Sequence, residues 1–435
     1  MGVSFTTETP PMPQAAARSH HRTDHAPRET VSPPAAPPAG DGATAWPSRH
    51  GQDRAAARAM TQRLRMVVRE VADPDEATWA AMGQALLRGD PLADEVADWM
   101  LAQGGARMWP QVDRWLQAGP EGAAAAGAPA PVVALLRAVC ALPDWADLPR
   151  ADAGARALHG SGLHGMMVLR DAGLMAGYQA SAINQTLLRT GALHEGAQRR
   201  VALTTTWWMV VTEPGGMRPG QPGHRHTLQV RIMHALVRQR LRRDPTWDNA
   251  HLGLPVNQLD MQVTYLAFSV IQLLSLGTTG MWMPQAQRDD VMHLWRLVGW
   301  AMGVDEALLC RDEAEGRRAL VHNLLSQAPA DEGSRQLARA LMDEPLHRHY
   351  RDLPGLRGRL NRQRHLSLVG WFVGARGLRQ LGLPLTLPWY PLLCLLPFGA
   401  RAMAMAAVPP LMAALQRRGR AAQRDYLEIL TGPSP

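Results

Sequence analysis

From residue 54 onward the chain is written almost wholly in helix-forming residues, and nowhere does it alternate apolar and polar side chains as a half-buried strand must. Ala, Leu, Arg, Gln and Met dominate, and no Asn-Gly or Asp-Gly step joins two alternating stretches, so hairpins have no starting point. Apolar residues make up 46% of the 435, enough for a sizeable core. The expected class is all-α, a helical bundle.

Three regions follow from the punctuation. Residues 1–52 are Pro, Ala, His and polar residues without periodicity, for example Pro33-Pro34-Ala35-Ala36-Pro37-Pro38, and are expected to be a disordered tail. Residues 53–380 form the helical domain, with acids at Asp73-Pro74-Asp75-Glu76 opening one helix and the Ala/Gly/Pro stretch 119–131 expected as a loop. Within it, helices are expected over 166–190, 195–212, 227–243 and 257–276, apolar around much of their circumference yet carrying isolated Arg, Thr, His and Asp. A buried helix tolerates such residues only when they have partners, which points to a polar site inside the core. Residues 381–400 hold no charge, and the apolar run resumes after Arg401 up to Leu415. Pro384, Pro388, Pro391, Pro397, Pro409 and Pro410 argue against a membrane span, so 381–435 is expected as an apolar, Pro-rich segment ending in a charged helix, with 381–415 making peripheral membrane contact.

Charge and cysteine narrow the chemistry. Every one of the 46 basic side chains is Arg, which excludes Schiff-base, P-loop and lysine-ligand chemistry. The net charge of +8 is spread among Asp and Glu with no base-reading motif, so nucleic acid is not an expected partner. Three distant cysteines, Cys140, Cys310 and Cys394, form neither a disulfide framework nor a zinc site. Together with an N-terminus lacking a basic-then-apolar pattern, they lead to an expected cytoplasmic setting with membrane association.

The sharpest constellation is Val230-Arg231-Ile232-Met233-His234-Ala235-Leu236-Val237-Arg238. Arg231, His234 and Arg238 fall at i, i+3 and i+7 on one helix face, so the cations hold the imidazole neutral, as a metal ligand must be. The two guanidiniums are expected to hold anionic groups of a cofactor. One helix earlier, Arg200 and Thr204 are neighbours at i, i+4 and would supply hydrogen-bond donors. Plainer roles stand beside these: Arg200 pairing with an acid, Thr204 bonding back to the carbonyl four residues earlier, and Asp260 pairing with Arg231 or Arg238. His224 and His226 form a His-x-His pair that could serve non-haem iron or zinc, although no carboxylate completes a triad.

Several segments in order resemble the family that holds the fungal mycophenolic-acid-pathway oxygenase and the bacterial latex-clearing rubber oxygenases. They are Thr190-Gly191, Arg199-Arg200-Val201 with Thr204, Val230-Arg231 with His234-Ala235 and Val237-Arg238, Gly253-Leu254-Pro255-Val256-Asn257-Gln258-Leu259-Asp260 with Thr264 and Phe268-Ser269, and Trp295, Gly299 and Gly303-Val304. The resemblance implies a globin-like helical fold around haem b, His234 as the proximal iron ligand, Arg231 and Arg238 on the propionates, and Arg200 and Thr204 as distal catalytic residues. It also implies an oxygenase that uses O2 to oxidise or cleave a C=C bond in a lipophilic, isoprenoid-like molecule. Where the latex-clearing branch has a lysine that closes off the iron, this chain has Leu203, so that closure is not expected. The alternatives are a non-catalytic haem- or lipid-binding protein at the membrane and a non-haem metal oxidoreductase.

Overall fold

The computed structural model describes residues 46–432 apart from 69–70, 192–195 and 408. Among these residues the chain forms α-helices, short 3₁₀ turns and two π-helical turns, with no strand. The helices are α1 Arg54–Val67, α2 Glu76–Ala85, α3 Pro91–Ala102, α4 Trp109–Ala125, α5 Ala130–Cys140, α6 Leu148–His159, α7 Gly162–Val168, α8 Ser181–Arg189, α9 Ala197–Val211 and α10 Pro222–Arg242. They continue with α11 Asn249–Leu252, α12 Gln258–Leu266, α13 Gln272–Thr278, α14 Gln285–Ala301, α15 Glu313–Leu325, α16 Glu332–Asp343, α17 Pro354–Gln380, α18 Trp389–Ala407 and α19 Pro409–Thr431. The all-α expectation holds.

Aspartates set where several helices begin. Asp53, Asp75, Asp90, Asp147, Asp312 and Asp331 each accept a backbone N–H from the first turn of α1, α2, α3, α6, α15 and α16. Each satisfies a donor that the helix cannot bond itself. The main core gathers Trp208, Leu266, Trp295, Leu320, Leu341 and Val369 from helices across the chain. A second core joins α3, α4 and α5 through Met100, Val112, Leu135 and Leu136. One face of α10, with Leu228, Ile232 and Ala235, belongs to that second core. α10 is therefore the shared wall of two compartments.

Several expectations need correction. The tail expected over 1–52 lies outside the described residues for 1–45, but 46–52 are packed. The Arg49 side chain is 1% exposed and donates to both carboxylate oxygens of Asp260 at 2.8 and 2.9 Å, and the His50 ring stacks on Trp79 at 3.9 Å. Aperiodic sequence hid two residues anchored by charge and stacking. The loop expected over 119–131 is mostly helix: α4 kinks at Gly119 (φ 71°) and continues, leaving only 126–129 between α4 and α5. The helix expected over 166–190 breaks before α8 at Ser181. α18 runs through Pro397, and Tyr426 and Leu430 of α19 enter the main core. Gln258–Thr278 is long and apolar enough to cross a membrane, yet 72% of its most apolar window is buried, as in a core helix.

The two π turns, Leu169–Met175 and Ala267–Ile271, lie side by side. Gly173 lies at this contact, where a Cβ would meet the Ala267 Cβ at an ordinary van der Waals distance of 3.6 Å. Extra residues of this kind inside helices are common at functional sites.

Candidate functional site

α10 is clipped to α3 by two ion pairs. Arg231 Nε and Nη2 donate to Asp90 Oδ2 and Oδ1 at 2.7 and 2.8 Å, and Nη1 donates to the Ala301 carbonyl at 3.2 Å. Two turns on, Arg238 Nε donates to Asp94 Oδ1 at 2.7 Å and Nη1 to the Val256 carbonyl at 2.8 Å. Val256 has φ 49°, a conformation costly for a β-branched residue, and the Arg238 bond helps hold it. Gly303 (φ 89°) backs the first pair, where a Cβ would stand 2.7 Å from Arg231 Nε.

This corrects the roles expected for Arg231 and Arg238. Both are buried, both are matched by carboxylates of α3, and neither lines the cavity described below. Asp260 is likewise taken by Arg49 rather than by either of them. Helical spacing placed the arginines beside His234, but their length carries the guanidiniums away to acids about 140 residues earlier in the chain.

His234 turns the other way. It lines a cavity of about 1150 Å³ walled by α1, α8, α9, α10, α12, both π turns, α14 and α17. Its Nδ1 is enclosed by protein with no hydrogen-bond partner, which leaves Nε2 as the nitrogen available to the cavity. The ring is held neutral, its pKa lowered to about 4, first by burial and then by the Arg238 charge, with Asp90 opposing. The neutrality expected from the sequence is present, although burial is the larger cause.

Arg200, Leu203 and Thr204 of α9 line the same cavity. Arg200 Nη2 donates to the Tyr178 hydroxyl, while Nε and Nη1 are buried without a partner among the described residues. Burial lowers its pKa to about 10, so it remains a cation at neutral pH. Among the described residues no acid pairs with it. The Thr204 hydroxyl makes no hydrogen bond among the described residues, unlike Thr206 and Thr212, which bond back to the carbonyls of Ala202 and Trp208. Both plainer roles therefore find no support. Leu203 keeps 46% of its surface accessible on the cavity wall.

The rest of the wall is chiefly apolar. Trp207, Phe268 and Trp295 pack with centroids 5.0 to 5.9 Å apart, and Met233, Met261 and Met302 add soft, adaptable surface. Sequence reasoning missed Tyr178 and Tyr426, both buried and both on the wall; the Tyr426 hydroxyl has no partner among the described residues. A lone tyrosine carries no spacing signal. It also missed Arg240, which lines the cavity without a carboxylate partner among the described residues. His224 lies away from the cavity, its Nε2 donating to the Val139 carbonyl at 3.3 Å, and His226 does not line it either. Among the described residues no group of three or more His, Cys, Asp or Glu is placed to hold a metal, so the His-x-His alternative finds no completing ligands.

The site residues fit a haem on their own chemistry. A cavity of this size exceeds the roughly 300–1,000 Å³ of common ligand pockets, its wall is apolar, and one neutral imidazole faces it unpartnered. Comparisons with known proteins agree on the kind of fold. The latex clearing protein LCP, solved in its closed state, aligns with a TM-score of 0.56 at 19% identity, over 79% of this chain and 91% of that one. At that identity the likeness speaks to the helical fold alone. No curated protein sequence matches significantly. The sequence pattern of the catalytic domain of the ER-bound oxygenase mpaB/B′ and rubber oxygenase matches residues 151–407, more than half the chain and nearly all of the cavity wall. The chain belongs to the mpaB/rubber oxygenase family, and so to the oxygenases.

Proposed function

We propose that the protein is a haem b-dependent oxygenase that uses O2 to oxidise or cleave a C=C bond in a lipophilic, isoprenoid-like substrate. The observation that carries this reading is His234: neutral, without a partner, and presented to an apolar cavity that Arg200 and Thr204 share. When bound, the haem would supply the redox chemistry that O2 activation requires.

The chain's own residues do the rest. His234 would hold the iron through Nε2, and the Arg–Asp clip behind α10 fixes the helix that presents it. Arg240, a wall cation with no carboxylate partner among the described residues, would take the anionic edge of the haem. Arg200, a cation anchored by Tyr178 on the cavity wall, would stabilise an oxygen carrying negative charge, with the Thr204 hydroxyl as a second donor. The Trp207, Phe268 and Trp295 cluster and the methionines exclude water and accept an unsaturated hydrocarbon. Leu203 offers no ligating atom, so the wall residue before Thr204 cannot close the site.

The test is the absorption spectrum and pyridine haemochrome of purified wild type beside His234→Ala. A Soret band in wild type that the variant loses supports the assignment. A wild type that takes up no haem after reconstitution overturns it. A second reading, a haem- or lipid-binding protein without turnover, is favoured by Leu203 alone, and O2 consumption with an unsaturated lipid decides against it.

A further inference from the structure

A surface well away from His234 carries a line of exposed leucines. Leu353, at the start of α17, and Leu356 and Leu360 within it are exposed, Leu353 by 67%. With Arg364, Ser367 and Trp371 they follow i, i+3, i+7 spacing and share one face of α17. The Ser367 hydroxyl donates to the Leu387 carbonyl at 3.2 Å and accepts from the Tyr390 backbone N–H at 3.0 Å. That contact seats the next exposed leucines on the same face: Leu385 and Leu387, then Leu392, Leu393 and Leu396 of α18, with Leu387 and Leu396 80% and 85% exposed. Trp282, 60% exposed, stands beside Gly399 of α18 and extends the apolar surface.

The charge of these segments is one-sided. From Leu353 to Arg424 the sequence holds eleven arginines and no aspartate or glutamate, so the rest of a chain of net charge +8 is net acidic. In the fold Arg362 pairs with Asp343, and Arg420 and Arg424 with Glu213, while Arg357, Arg359, Arg376 and Arg379 make no ion pair among the described residues. Arg357 and Arg359 are exposed between the leucines of α17, and Arg376 and Arg379 are exposed near its C-terminus.

The far end of the same α17 face reaches the cavity. Trp371 lines it, as do Gly374 and Arg376, across from Arg63, Met66 and Val67 of α1. Arg63 donates to the Trp371 carbonyl at 3.0 Å, and Met66 is 63% exposed, which marks the mouth. Exposed apolar surface of this kind marks an interaction site, and the exposed, unpaired Arg357, Arg359, Arg376 and Arg379 beside it favour an anionic lipid surface over an ordinary protein partner.

We propose that the leucine face of α17 and α18 docks on an anionic bilayer, with its arginines on the headgroups, and that the mouth between α1 and α17 draws the lipophilic substrate from that membrane. The second clause rests on the oxygenase reading; the docking does not. Flotation of the full chain with phosphatidylcholine vesicles, with and without phosphatidylglycerol, reads docking without haem or turnover. The expected result is flotation with the anionic vesicles and little with the neutral ones, falling as salt rises. Leu393→Glu with Leu396→Glu, and separately Leu356→Glu with Leu360→Glu, should each lower the bound fraction about tenfold or more while leaving circular dichroism and the melting curve unchanged. Wild-type flotation against salt needs no variant and stands if a variant misfolds. Absence of flotation, or variants that float like wild type, overturns the proposal. So does a concentration-dependent self-association in sedimentation that the leucine variants abolish, since a second copy of the chain would then cover the face. Loss of the haem spectrum with flotation intact would instead sink the oxygenase reading alone.

Discussion

The two sides of α10 treat charge in opposite ways. Toward α3, Arg231 and Arg238 meet Asp90 and Asp94 at 2.7–2.8 Å; Arg231 spends all three of its nitrogens on protein and Arg238 two, its Nη2 alone lacking a partner among the described residues. On the cavity side, Arg200 Nε and Nη1 are buried without a partner among the described residues, and the exposed Thr204 hydroxyl makes no hydrogen bond there. A buried polar atom left unmatched costs about 1–3 kcal/mol, so a fold keeps several together only where something else gains. The matched side maintains the fold and the unmatched side is what a ligand would complete. Sequence spacing could not separate them, since all three α10 residues lie within ~60° on the helical wheel.

The contrast breaks first at the clip. Asp90→Ala leaves Arg231 buried and uncompensated and should cost about 3–5 kcal/mol of stability in chemical denaturation. A loss below about 1 kcal/mol would mean the pair is not what holds α10. On the other side, Arg200→Ala should leave the melting temperature nearly unchanged while lowering turnover of an unsaturated lipid roughly 10²-fold or more. A strongly destabilised Arg200→Ala with unimpaired turnover would reverse the assignment of the two sides.

Acid separates them more gently. His50, His159 and His164 are buried with pKa values lowered to about 4, chiefly by burial, against an unfolded value of about 6.5. The unfolded chain binds more protons between these values, so their contribution is complete above about pH 6.5 and is lost as pH falls toward 4. Asp171, pushed up to about 7 by burial, acts in the opposite sense, but one carboxyl faces three imidazoles. Melting temperatures should therefore drop between about pH 6.5 and 4, and a flat profile would contradict the depressed imidazoles. The smallest effect is expected at Arg240→Ala, which should change stability by less than about 0.5 kcal/mol yet weaken haem retention in a competition with apomyoglobin.

Much of this was legible in the residues. Helix formers and caps announced the class and the start of α1 at Arg54, and His234, Arg200 and Thr204 do share one cavity. The partners of Arg231 and Arg238 were not legible, because a helical wheel says which face a side chain leaves from and nothing about acids on a distant helix. Arg49 and His50 escaped for a related reason, since single contacts with Asp260 and Trp79 order a segment that has no period of its own. Asp171, donated to by His365 Nδ1 and Arg170 at 2.6 Å each, sits in a π turn that composition cannot distinguish from an α-helix.

Those turns bear on how chain length can vary. A π turn amounts to one residue inserted into an α-helix, and removing it rotates everything on one side by about 100° relative to the other. Deleting Gly173 would thus turn Leu169–Met175 into ordinary helix with hardly any change in helix content, yet swing α7 out of phase with Tyr178 and the rest of the wall. Most single-residue deletions harm a protein where they fall; this one would spare its own neighbourhood and misalign the site a turn or two away.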